Sequence, residues 1–333
     1  MRTFTPSIGK AGPALDTELY RPRCVVAVDG GLGGRCLHTV AVRVGVALPQ
    51  YEVDRDPAGP ALWPVLLAAA RRAERLGLDS VWLSDHPFAV APDGSESGAL
   101  EPLVALSALA RSTERVRIGT LVLAATMRRP ALLAHTAKTL PPQRTVLGIG
   151  TGWYEPEHRA FGMALGSYAD RAAALEASAA ALHGLPSPRP RVLAGGSGRP
   201  VLEIAARYAD AWNVSWDVTP ETFTSLTSRL DDACERINRD PATLERSVGL
   251  TVLVAGNDRD REAAVERLRS RAPFLAGLDA GSLSKAIVTG TAQHCVERIA
   301  SYGADEVVVA PLLRDDLEMI ERLATEVAPA LRS

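Results

Sequence analysis

Short apolar runs, each closed by a turn signal and each followed by helical spacing, recur along most of this sequence and constrain its fold more than any other feature. Residues 44–48 are β-prone and stop at Pro49, and 63–76 carry apolar residues at helical spacing with Gly77 as a C-cap. The alternation continues through strands at 80–84, 116–123, 145–149, 191–194, 211–214, 248–255 and 306–310. Helices are expected at 103–110, 131–139, 168–182, 200–208, 221–238, 259–271, 293–302 and 317–331. Eight strands, each followed by at least one helix, favour an α/β fold of the (β/α)8 TIM-barrel type over an open doubly wound sheet. The continuous Val307-Val308-Val309 run suits a parallel strand buried on both faces.

A length of 333 residues would ordinarily suggest about two domains, but a barrel can use that many as one. Residues 1–42 stand outside the alternation and read as a poorly ordered N-terminal extension, leaving 43–333 as the barrel domain. The run Gly30-Gly31-Leu32-Gly33-Gly34 follows a possible strand. Its spacing is not that of a dinucleotide loop, and no amphipathic helix follows at once.

Composition excludes several classes. A formal net charge of −2 leaves no basic excess for a nucleic-acid backbone. No stretch approaches the roughly 20 apolar residues of a membrane span. The four cysteines form no CxxC, and no histidine cluster sits near them, so no metal site is expected. The N-terminus lacks a secretory pattern, which makes a cytoplasmic location the expectation.

Barrel enzymes carry their chemistry on the loops after the strands. Asp85-His86-Pro87 follows the second strand, and a histidine there can act as general acid or base, with Asp85 orienting it or meeting a ligand. Gly148-Ile149-Gly150-Thr151-Gly152-Trp153 closes the fourth. Gly195-Gly196-Ser197-Gly198 closes the fifth, just ahead of a helix, and reads as an anion site. Two such loops on adjacent strands point to a phosphate-bearing cofactor. Glu155-Pro156-Glu157-His158-Arg159 reads as a loop that either covers the site or is simply solvated, and its spacing matches no metal motif.

From about residue 43 onward, these stretches resemble the bacterial luciferase-like monooxygenase superfamily, and above all its coenzyme F420-dependent branch. The resemblance runs through Arg43-Val44-Gly45-Val46, Gly77-Leu78-Asp79-Ser80-Val81-Trp82-Leu83-Ser84-Asp85-His86 and Thr113-Glu114-Arg115-Val116-Arg117-Ile118-Gly119-Thr120. It continues through Gly148 to Gly162, Ala194 to Gly198, Ala209-Asp210-Ala211-Trp212-Asn213 and Gly303-Ala304-Asp305-Glu306. It implies a luciferase-like barrel with a deazaflavin at the strand C-termini and Asp85 and His86 beside the ring as catalytic residues. It also implies a non-proline cis peptide at Leu121-Val122 behind the ring, a cofactor contact at Thr151, and a phosphate turn at Gly195, Gly196 and Ser197. The implied activity is hydride transfer between F420 and a small organic substrate, in a homodimer. An FMN-dependent monooxygenase and a cofactor-binding inactive relative are the alternatives. The Asp-His pair and the arginine-rich composition favour F420.

Three departures from the family pattern stand out. The link 140–144 is short and lacks the customary SGGR. The insertion between the fourth helix and fifth strand shrinks to 183–188. Trp153 stands where the F420 sugar-phosphate dehydrogenases carry a glutamate, which argues against that substrate class.

Overall fold

A computed structural model describes residues 41–52, 61–90, 96–216, 218–271, 287–311 and 317–333. The expected extension therefore lies almost wholly outside the described residues, as do Cys24 and Cys36. Val42 belongs to the barrel, for it is buried and its N–H donates to the Leu331 carbonyl at 2.9 Å.

The strands are β1 (Arg43–Ala47), β2 (Ser80–Leu83), β3 (Phe88–Val90), β4 (Glu96–Gly98), β5 (Arg117–Ala124), β6 (Thr145–Gly150), β7 (Arg191–Gly195), β8 (Ala211–Ser215), β9 (Glu245–Val254), β10 (Ile287–Gly290) and β11 (Glu306–Pro311). Eight of them close a parallel barrel in the order β1-β2-β5-β6-β7-β8-β9-β11, with β11 returning to β1. The expected (β/α)8 barrel is the observed one.

Two features escaped the sequence reading. A small antiparallel hairpin, β3–β4, follows the second barrel strand. A ninth parallel strand, β10, pairs with β9 from Thr251 to Val254, whereas β8 pairs with β9 only from Glu245 to Gly249. Since β11 occupies the other edge of β9, β10 takes over the edge that β8 leaves. The run 287–290 is only four residues long, and that brevity hid it.

Two cores hold the barrel. The larger lies between barrel and helices, where parallel strands buried on both faces meet the apolar stripes of the helices. The smaller fills the barrel interior with Trp82, Leu121, Val146, Leu193, Ala211 and Val308. The Trp82 indole needs room on both sides. A β-carbon at Gly45 would come within 2.7 Å of its Nε1, and one at Gly119 within 2.5 Å of its ring.

Beneath that layer, near the strand N-termini, the barrel is charged. Glu245 faces Arg43 at 2.5 Å and Arg191 at 2.7 Å, and Glu306 faces Arg117 at 2.8 Å. Burial opposes the charge of Glu245, but Arg191, Arg117 and Arg43 outweigh it and hold its pKa down to about 2. Glu306 is more deeply buried, and burial pushes its pKa up despite Arg117.

The shortened insertion is visible as a direct passage. The helix Tyr168–His183 leads into β7 through seven residues that include a cis Ser187–Pro188 bond.

Candidate active site

Above the apolar layer, at the C-terminal ends of the barrel strands, lies a cavity of about 290 Å³. Its floor is a bulge in β5, where the register against β6 slips between Thr120 and Leu123. The Leu121–Val122 peptide within the bulge is cis, as expected. The bulge turns Val122 towards its neighbours. A β-carbon at Gly150 or Gly195 would lie 2.7 Å from a Val122 methyl, and one at Gly148 would strike the Thr120 carbonyl. Gly148, Gly150 and Gly195 are thus explained by the protein's own bulged strand, through the Thr120 carbonyl and the Val122 side chain, where the sequence suggested approach to a ligand.

Asp85 and His86 both line the cavity but have different surroundings. The buried Asp85 carboxylate accepts from the Ala124 N–H at 2.7 Å and from both terminal nitrogens of Arg128, one at 2.8 Å. Arg128 also donates to Glu101 at 2.8 Å. Burial works against the guanidinium charge, but Asp85 and Glu101 hold its pKa above the ordinary value. Asp85 therefore ties the end of β2 to the end of the bulged strand. Gln50 fixes the same strand end from the other side: its amide donates to Ser84 O at 2.6 Å and accepts from Ser84 N at 2.7 Å.

His86 is the more accessible of the pair, with its side chain 36% exposed. Its Nδ1 lies 2.7 Å from Oε1 of Glu157, a carboxylate that is 4% exposed. The Trp153 ring stands edge-on to the imidazole at 5.9 Å.

Glu157 comes from the stretch read as a loop. It is in fact a short helix, Glu155–Ala160, with Pro156 in its first turn. Glu157 and His158 both turn inward and are buried. His158 Nδ1 must donate, since its partner is the Tyr154 carbonyl at 3.0 Å, and Nε2 meets the Thr126 hydroxyl at 2.7 Å. This ring is a structural post, and Gly152 leaves room for its partner Thr126. Gly152 has φ +71°, and a β-carbon there would meet Thr126 Oγ1 at 2.7 Å.

The remaining expected residues divide. Leu121, Val122, Thr151, Gly195 and Gly196 line the cavity, whereas Ser197 stands outside its lining. Gly196 adopts φ +132°, which requires glycine, and its N–H already donates to Asn213 O at 2.9 Å. The helix after this turn, Arg199–Tyr208, starts without a side-chain cap. Trp153 and Trp216, both exposed, line the rim, and Trp216 has a left-handed backbone at φ +76°. Glu157, Arg128 and Gln50 were missed as site residues. For Glu157 a signal existed, because a proline second in a run rich in helix formers marks a helix start. No group of His, Cys, Asp and Glu able to hold a metal occurs among the described residues.

The family described as luciferase-like monooxygenase matches residues 42–307. The F420-dependent glucose-6-phosphate dehydrogenase of Microbacterium testaceum is 28% identical, across 88% of this chain and 98% of its own. The enzyme of the same name from Nakamurella multipartita is 30% identical, across 66% of this chain and 70% of its own. Among solved structures, an F420-dependent secondary alcohol dehydrogenase in complex with an F420-acetone adduct superposes with a TM-score of 0.74. It is 18% identical and covers 88% of this chain and 100% of its own.

Proposed function

This chain belongs to the luciferase-like monooxygenase family, and from that premise we propose that it is an F420-dependent oxidoreductase acting on a small organic substrate. The observation that carries the reading is the cavity itself: a bulged, apolar floor at Leu121 and Val122, with His86 on its wall and two exposed indoles at its rim. That shape suits a flat tricyclic ring. Leu121 and Val122 would back it, Thr151 would contact it, and the Gly195-Gly196 turn would border the phosphate, with Ser197, just outside the cavity lining, offering its hydroxyl at the start of the helix Arg199–Tyr208.

The bound deazaflavin supplies hydride acceptance or donation, and the protein supplies orientation and proton transfer. His86 takes the proton from a substrate hydroxyl as the carbon is oxidised, and returns it in the reverse direction. Asp85, expected as catalytic, acts in this reading as a positioning residue, since Arg128 and Ala124 occupy its carboxylate. The apolar floor and the two indoles would flank the ring.

The deciding experiment mixes the purified full-length chain with F420 or with FMN and follows the absorbance spectrum. Saturable perturbation by F420 alone is expected. Perturbation by FMN alone would make the protein a flavin-dependent monooxygenase. F420 binding without turnover across alcohol oxidation and enone reduction would make it an inactive relative.

A cytoplasmic homodimer completes the reading. Sedimentation equilibrium tests the pairing.

A further inference from the structure

The sequence motif around Glu157 has no part in the reading above, yet its carboxylate meets the one histidine to which that reading gives a proton. We infer that Glu157 is the positioning residue that fixes His86 in the tautomer with its proton on Nδ1, leaving Nε2 as the proton acceptor of the cavity. This inference rests on the proposed oxidoreductase activity for its purpose, though not for its measurement.

An ionised carboxylate can only accept, so a 2.7 Å contact between Oε1 and Nδ1 requires a proton on Nδ1. In a neutral imidazole the other nitrogen then carries the lone pair. Glu157 is nearly sealed from water at 4% exposure, whereas His86 is 36% exposed and lines the cavity. The pair is thus anchored at its buried end and open at its working end. Glu157 is itself well held. It belongs to the helix Glu155–Ala160, and the neighbouring His158 locks that helix to Thr126 and to the Tyr154 carbonyl. Trp153 limits the ring's swing from its edge at 5.9 Å.

The consequence concerns direction. Oxidation of a hydroxyl breaks its O–H bond, and the proton must pass to a lone pair as the C–H bond gives up hydride to the deazaflavin. Only the Nδ1–H tautomer offers that lone pair on Nε2. An imidazole released from Glu157 is free to carry its proton on Nε2, where it blocks acceptance.

The test is nitrogen NMR on the full-length chain with ¹⁵N-labelled histidine, at a pH where His86 is neutral, with His86→Asn used to assign the signal. In the wild type, Nδ1 should show the protonated shift and Nε2 the unprotonated one. Glu157→Leu should move the ring towards Nε2–H. It should also lower turnover of an oxidisable alcohol by roughly 10²-fold or more, with KM within about threefold. In a His86→Asn background the same change should cost nothing further in turnover. An Nε2–H tautomer in the wild type overturns the inference without any variant. So does a Glu157→Leu spectrum unchanged from wild type, or a further turnover loss in the His86→Asn background. Failure of the F420 reading is separate: it appears as absent cofactor binding while the Nδ1–H signal persists.

Discussion

Val122 stands where side chains on its neighbours would otherwise be: its Cγ2 methyl lies 2.7 Å from the place a β-carbon on Gly150 would occupy. The bulge that shapes the cavity floor therefore depends on two bare positions across the sheet, Gly150 in β6 and Gly195 in β7. Gly150→Ala or Gly195→Ala should each cost about 1–3 kcal/mol of stability through overpacking. Combining Gly150→Ala with Val122→Ala should cost less than the sum of the two. Urea denaturation of the three variants checks this, and strict additivity would refute the steric coupling.

The Asp85–Arg128 pair supplies a second expectation. Its side chains are 4% and 17% exposed, so removing one partner strands the other. Asp85→Ala should cost about 3–5 kcal/mol, and the double variant with Arg128→Ala should cost less than the two singles together. F420 affinity should fall with Asp85→Ala, because the Ala124 N–H loses its acceptor at the end of the bulged strand. Calorimetric titration reads that arm.

His86→Asn should separate binding from chemistry. Cofactor affinity should stay largely intact while turnover falls by roughly 10²-fold or more. Lost affinity with turnover preserved at saturating cofactor would make His86 a binding residue.

Acid stability should report the charged layer of the barrel. Glu245 is held down to about 2, below its ordinary value of 4.5. Its contribution is therefore complete above pH 4.5 and is lost as pH falls towards 2. Glu306 is displaced upward, so it opposes the fold when ionised and recovers stability on protonation. Glu245→Gln should destabilise the protein at pH 7 and flatten the stability loss between about pH 4.5 and 2. Glu306→Gln should cost less at pH 7. Urea midpoints across that range, unchanged in slope by Glu245→Gln, would contradict this assignment.

Removal of residues 1–40 should leave the melting transition unchanged, because the first strand is already secured by the Val42–Leu331 hydrogen bond. Insolubility of the shortened chain alone would show that the extension is structural.

The sequence revealed the barrel because parallel strands buried on both faces leave unmistakable β-branched runs, such as Val307 to Val309, between helices with one apolar stripe. It revealed the Asp85-His86 corner and the Leu121-Val122 bulge through resemblance. The different partners of Asp85 and His86 were not legible, because Arg128 lies 43 residues from Asp85 and Glu157 lies 71 residues from His86. Glycines invited the opposite error. At Gly150 and Gly195 a missing side chain looks the same in sequence whether it admits a ligand or a neighbouring valine. The charged interior was hidden for a related reason, since Arg43, Arg117, Arg191, Glu245 and Glu306 are scattered singly, each at or near a strand start.

The handover on β9 also divides the barrel mechanically. Up to Gly249 the hydrogen-bonded hoop runs unbroken through β8, and Trp216 N–H adds its last rung by donating to the Gly249 carbonyl at 2.8 Å. Beyond that rung the edge of β9 belongs to β10, with Ala255 N–H tied to the Gly290 carbonyl at 2.7 Å. The hoop is therefore complete without β10. Peeling β10 away would cost its own rungs and the burial of Ile287 and Val288, but the closed girdle beneath the cavity would keep its circumference.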